Sequence, residues 1–164
     1  MKTIYIVRHA KSSWGDFTLP DFERPLNDRG KSDAPRMAKK LVLRKVQIDC
    51  FISSPAKRAL KTCKLFCKEF HFPEEKIVQV DLLYHAPRET FYQVIENIDD
   101  KCKGAAIFSH NPGITDFANS LSPDLRIDNM PTCAVLGISA DIDKWADFRK
   151  ASKSILFFDY PKAG

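Results

Sequence analysis

Apolar residues recur in two rhythms along this chain, and the two alternate. Short apolar runs at Ile4 to Val7, Ile48 to Ile52, Ala105 to Phe108, Cys133 to Ile138 and Ser154 to Phe158 read as buried strands, with a shorter one at Ile77 to Val80. Between them the spacing changes to that of helices. Ala34, Met37, Ala38, Leu41 and Val42 predict a helix over about Asp33 to Arg44, with Pro35 in its first turn. Ala59, Leu60, Cys63, Phe66, Cys67 and Phe70 predict a second that stops before Pro73. Phe91, Val94, Ile95 and Ile98 give a third face, and Ile114, Phe117, Ala118 and Leu121 a fourth that ends at Ser122-Pro123. Repeated strand-then-helix units predict an α/β three-layer sandwich around a mainly parallel sheet. Lys11 to Arg29 fits neither rhythm, and a polar loop of that length in a compact chain marks function or mobility.

The residues at the strand exits matter more than the strands. The first run ends on Arg8-His9, the second on Ser53-Ser54-Pro55 with Arg58 a turn later, and the third on Ser109-His110-Asn111-Pro112. Open α/β sheets bind ligands beyond their strand ends. If these strands are parallel neighbours, Arg8, His9, Arg58 and His110 converge on one edge. Two guanidiniums and two imidazoles, with no carboxylate cluster or metal-ligand set beside them, suit a tetrahedral dianion such as phosphate, whose oxygens match the forked donors of arginine. A neutral imidazole can attack phosphorus, and neighbouring arginines favour the neutral form by repulsion. Of the two histidines, His9 is the expected nucleophile because Arg8 and the strand end hold it, with His110 donating to the phosphate oxygens.

Composition narrows the rest. A chain of 164 residues, 44% hydrophobic and 29% charged, is long enough for one core, so one domain over residues 1–164 is expected. The net charge of +5 suits an anionic substrate, but the basic residues are mixed with acidic ones and form no block of the nucleic-acid-binding kind. No run reaches membrane-spanning length, and the opening lacks signal-peptide features, so a cytoplasmic protein is expected. Five cysteines fall mostly in apolar segments and read as reduced core thiols. Cys63, Cys67 and His71 would stack on a continuous helix, yet no second ligand pair occurs at zinc spacing, and the positions belong to the apolar face.

Taken together, Arg8-His9-Ala10-Lys11-Ser12-Ser13-Trp14, Arg24-Pro25-Leu26-Asn27 with Arg29-Gly30, Ser54-Pro55 with Arg58-Ala59 and Thr62, and Ser109-His110-Asn111-Pro112 resemble the histidine phosphatase superfamily. They look most like its small SixA-like branch of phosphohistidine phosphatases. The resemblance implies a phosphoglycerate-mutase-like fold, His9 as phosphate acceptor, and Arg8, Arg58 and His110 as the rest of the phosphate pocket, without metal or other cofactor. Ser12 and Trp14 are expected at the substrate's side of the mouth, whereas Arg24 can serve structure alone. The family's commonest opening has Gly where this chain has Ala10, a change compatible with the fold if no positive φ is needed there. Members that cleave esters carry an acid after the third strand. Here Asp81 is the nearest candidate, with His85 and Glu89 behind it. The expected activity is that of a protein phosphohistidine phosphatase. A small-molecule phosphomonoesterase and a phosphate-binding module without turnover are the alternatives.

Overall fold

The computed structural model describes residues 1–162. Its centre is a six-stranded sheet built from β1 (Lys2–Arg8), β2 (Cys50–Ser53), β3 (Val78–Gln79), β4 (Gly104–Ser109), β5 (Val135–Ala140) and β6 (Lys153–Asp159), in the order β3-β2-β4-β1-β5-β6. β1, β2 and β4 are parallel neighbours, β3 extends that set, and β5 and β6 close the other side antiparallel. The helices are α1 (Asp28–Leu43), α2 (Lys57–Glu69), α3 (Arg88–Glu96) and α4 (Gly113–Ser120).

Strand alternation makes the three layers. Tyr5, Val7, Phe51, Ala106 and Phe108 point to a core shared with Met37 and Leu41 of α1 and Cys63 and Phe66 of α2. Their neighbours Ile4, Ile6, Ala105 and Ile107 point the other way, to Phe91 and Ile95 of α3, Ile114 and Phe117 of α4, and Trp145. Because the side-chain period of a strand is two, each central strand feeds both cores and is apolar through its middle. Cys63 and Cys67 are thus core thiols. Among the described residues no helix is long and apolar enough to cross a membrane.

Several element ends differ from expectation for local reasons. α1 begins at Asp28 because the Asn27 side chain accepts the Gly30 amide at 2.8 Å, an N-cap ahead of the first apolar residue. Pro35 therefore lies beyond the first turn, and the carbonyl it cannot serve is that of exposed Lys31. α2 stops at Glu69 and His71 takes φ 55°, so Cys63, Cys67 and His71 do not share one helix. Strand pairing at β5 starts at Val135 rather than Cys133, whose φ of 62° turns its amide onto the carbonyls of Arg8 and His9 at 3.1 and 3.0 Å.

Candidate active site

The parallel strands end on the same edge, and their exits carry the charged and imidazole groups. β1 and β4 run in register from Thr3 with Gly104 to Arg8 with Ser109, so His9 and His110 leave the sheet side by side, their ring centroids 5.2 Å apart. β2 pairs on the other side of β4 and passes through Ser54 into the first turn of α2, which carries Arg58. Thr62 fastens that turn to the β1 exit: its hydroxyl donates to the Arg58 carbonyl at 2.8 Å and accepts the Ala10 amide at 3.0 Å. Ala10 is buried, and its φ is not positive, so a methyl group is accommodated where glycine is commoner.

The ring of His9 has a defined tautomer. Its Nδ1 lies 2.7 Å from the Ala10 carbonyl oxygen, which can only accept, so Nδ1 carries the proton and the Nε2 lone pair is free. Burial, opposed by this hydrogen bond and reinforced by the charges of Arg8, Arg58 and Arg24, pushes the pKa of His9 down to about 3. At neutral pH it is therefore an uncharged base among cations. Burial does the same to His110, with His9 and Arg58 adding to the effect, and takes it to about 2. Its Nε2 is 2.7 Å from the Ser54 hydroxyl, while its Nδ1 is buried without a partner. With Ser54 donating to Nε2, the proton of the neutral ring is on Nδ1, ready to meet an anion.

Each guanidinium is held at one corner and unfilled at another. Arg8 donates from one terminal nitrogen to the Met130 carbonyl at 2.8 Å. That carbonyl is fixed in turn, since the side chains of Asn111 and Thr115 bond to residues 129 and 130. Arg58 donates to the backbone oxygen of Asp21 at 2.7 Å and to its carboxylate at 3.0 Å. In both arginines Nε is buried with no acceptor. These two Nε atoms and His110 Nδ1 are the buried side-chain polar atoms lacking a partner among the described residues. Buried polar atoms are normally satisfied, so three such nitrogens on neighbouring strand exits mark this edge as a candidate anion site.

The long loop after β1 supplies residues that sequence reasoning missed. Asp21 accepts from Arg58, from the Tyr84 hydroxyl at 2.6 Å and from Arg24 at 3.1 Å. Partial burial opposes its ionisation, but these donors outweigh that and hold the carboxyl well below the usual range. Tyr84 in turn stands edge-on to His110, centroids 5.6 Å apart. Arg24 is buried, donates to the Ser12 hydroxyl at 2.8 Å and stacks 3.6 Å over the Trp14 ring. Arg24 thus holds Ser12 and the 66%-exposed Trp14 within the loop's own framework. Exposed Asp81 opens a single turn before Tyr84 and makes no hydrogen bond or ion pair to Arg8, His9, Arg58 or His110 among the described residues. Glu89 is engaged by Arg149. The one signal for Asp21 was indirect: a buried arginine requires an acceptor, but no spacing tells which acid in an aperiodic loop provides it.

Similarity to known proteins agrees with this geometry. Among solved structures, the SixA protein of Agrobacterium tumefaciens superposes with a TM-score of 0.79 at 24% identity over 98% of both chains. A protein histidine phosphatase SixA complexed with tungstate gives 0.82 at 19% identity over 97% of both. A mycobacterial glucosyl-3-phosphoglycerate phosphatase in complex with VO3 gives 0.66 at 13%, over 98% of this chain and all of the other. At these identities the likeness is one of fold. An uncharacterized chloroplastic protein of Arabidopsis thaliana is 36% identical over 63 residues, 38% of this chain and 29% of that curated relative's length. The family model of the histidine phosphatase superfamily, branch 1, matches residues 4–83, the stretch that contains Arg8, His9 and Arg58. Over residues 4–83 the chain is therefore similar to the histidine phosphatase superfamily, and its fold agrees with that likeness.

Proposed function

We propose that this protein hydrolyses phosphohistidine, without a metal, through a phosphoryl group carried transiently on His9. The observation that carries the reading is the His9 ring, neutral and with Nε2 free, beside two guanidiniums whose buried Nε atoms have no acceptor. The Nε2 lone pair attacks phosphorus as the bond to the substrate's imidazole nitrogen breaks, and that ring leaves with the bonding electrons. Charge then spreads over three equatorial oxygens, where fixed donors from Arg8, Arg58 and His110 stabilise it. In the second half water attacks the same phosphorus. The Nε2–P bond breaks, His9 recovers its lone pair, and the water's proton leaves with inorganic phosphate or to solvent.

The acids support phosphohistidine rather than an alcohol ester. Among the described residues, exposed Asp81 has no hydrogen bond or ion pair to the four residues, and Asp21 is held ionised, so neither is poised to protonate a departing alkoxide. A well-placed proton donor contributes about 10² to 10⁴ to ester cleavage, whereas a phosphoramidate protonated on nitrogen leaves as neutral imidazole. The expected substrate is a phosphorylated histidine in a protein.

Rapid quench with labelled phosphohistidine and peptide mapping is the direct test: an acid-labile, alkali-stable label is expected on His9. Label on His110 would reverse the two roles. kcat/KM for phosphohistidine should exceed that for an alkyl phosphate by about 10² or more. Equal rates, with Asp81→Asn removing only the alkyl reaction, would make a small-molecule phosphomonoesterase the better description. Binding of phosphate with no turnover of any substrate would leave a binding module. EDTA should leave the rate unchanged and vanadate should inhibit; inactivation by EDTA reversed by one metal would refute the metal-free step.

A further inference from the structure

Arg8 lines a second recess besides the catalytic pocket. This recess, of about 320 Å³, is bounded by Arg8, the Lys11 backbone turn, the first turns of α1 at Arg29 and Asp33, and the exit of β6 at Tyr160 and Lys162. Four cationic residues, Arg8, Lys11, Arg29 and Lys162, and one acidic residue, Asp33, therefore line it. That carboxylate is already committed: Asp33 is buried, 2.8 Å from Arg36 and 3.5 Å from Arg29. Lys11 and Lys162 are exposed and have no acidic partner among the described residues.

The recess is also rigidly framed. The Lys11 carbonyl accepts the Asn27 amide at 3.0 Å, and the backbone there lies so close to α1 that any side chain at Gly30 would collide with the Lys11 oxygen. Solvated basic residues on a surface usually repel one another into open water. Here four converge from three separate segments and the strand end, around a concavity that shares Arg8 with the catalytic pocket.

We propose that this recess is a second anion subsite, holding a carboxylate or a further phosphoryl group that the substrate carries close to the group being transferred. The shared chemistry is an oxyanion met by Lys11, Arg29 and Lys162. Its two sources are an acidic side chain flanking the phosphorylated residue of a protein and a second phosphate on a small molecule. The bound anion's role in selecting substrates rests on the phosphatase reading, but its binding does not.

The test has a binding arm and a turnover arm. By calorimetry, methylenebisphosphonate should bind the full chain about tenfold more tightly than methylphosphonate, since charge-assisted contacts of this kind are each of that order. The preference should shrink to under about threefold in Lys11→Gln/Arg29→Gln and, independently, fall in Lys162→Gln, and raised salt should weaken it. No preference in the wild type, or one that survives both variants, overturns the subsite. In turnover, a phosphohistidine peptide flanked by Asp and Glu is compared with one flanked by Asn and Gln, and a small bisphosphate with its monophosphate. The pair that matches the natural source should show an advantage of about tenfold, in KM rather than kcat, that is lost in the double variant. Equal kcat/KM within both pairs in an active enzyme refutes selection by the subsite. Absence of turnover with every substrate, with the bisphosphonate preference intact, refutes the phosphatase reading and leaves the subsite standing.

Discussion

The two ends of β1 lie about 20 Å apart and both bury cations, yet they treat them oppositely. At the amino-terminal end, Lys2 is buried and donates to the carbonyls of Asp100 and Cys102 at 2.7 and 3.1 Å, with its ammonium 5.5 Å from the centre of the Trp145 ring. Trp145 caps the same Cys102 carbonyl at 2.8 Å, and Asp49 accepts the amides of Lys103 and Gly104. Among the described residues no buried side-chain nitrogen or oxygen at that end lacks a partner. At the carboxyl-terminal end, Arg8, Arg58 and His110 each keep one buried nitrogen without a partner. A closed network at one end of a strand stabilises the fold; the open one at the other end trades part of that stability for a place prepared for charge.

Four measurements put this contrast at risk. The largest effect is expected from Arg58→Ala, which should lower kcat/KM about a hundredfold or more, as loss of a transition-state donor does, while thermal stability stays near that of the parent. A variant that unfolds, or one that turns over normally, would erase the distinction between the ends. Second comes acidification. The folded pKa values of His9 and His110, about 3 and about 2, lie below the ordinary histidine value of 6.5, so the unfolded chain takes up protons that the folded one refuses. These two groups make no difference to stability above pH 7; it falls as the pH drops below 6.5, and the loss continues until the folded-state values are reached. Near pH 5 they should contribute an uptake of about two protons, a slope of about 3 kcal/mol per pH unit in chemical denaturation. A flat profile between pH 7 and 5 would mean that the open end holds charged rather than neutral rings.

Third, Lys2→Met at the closed end should cost about 1–3 kcal/mol by leaving a carbonyl unserved, with activity per folded molecule unchanged. Altered kcat would show that the two ends communicate. The smallest effect concerns Asp21, whose side chain is 43% exposed. Asp21→Asn removes a negative charge that opposes an incoming dianion, and tungstate should bind about threefold more tightly. Weaker binding would instead make Asp21 chiefly a brace for Arg58.

The sequence made some of this legible and hid the rest for physical reasons. β1, β2 and β4 announce themselves because strands buried on both faces are continuously apolar, and the residues just beyond them are the ones a parallel sheet delivers to one edge. The pattern alone therefore brings Arg8, His9, Arg58 and His110 near one another. Asp21 and Tyr84 stayed hidden: the contacts of Asp21 with Arg58 and with Tyr84 span 37 and 63 residues and depend on the path of a loop with no period. The start of α1 was missed for a different reason, since its apolar face begins at Ala34 but its first turn is polar and defined by the Asn27 cap.

The position of β1 between β4 and β5 also sets a timetable for biosynthesis. The segment that carries Arg8 and His9 is synthesised before its partners, which are residues 104–109 on one side and 135–140 on the other, and the Arg8 amide is met by the Ala134 carbonyl. The apolar stretch Ile4 to Val7 must wait until residues 135–140 are made before it is enclosed, a separation of the kind that slows folding and exposes sticky intermediates. A nascent or prematurely ended chain thus carries the whole Arg8-His9 sequence with no sheet to aim it, and competence arrives only when β5 is laid down.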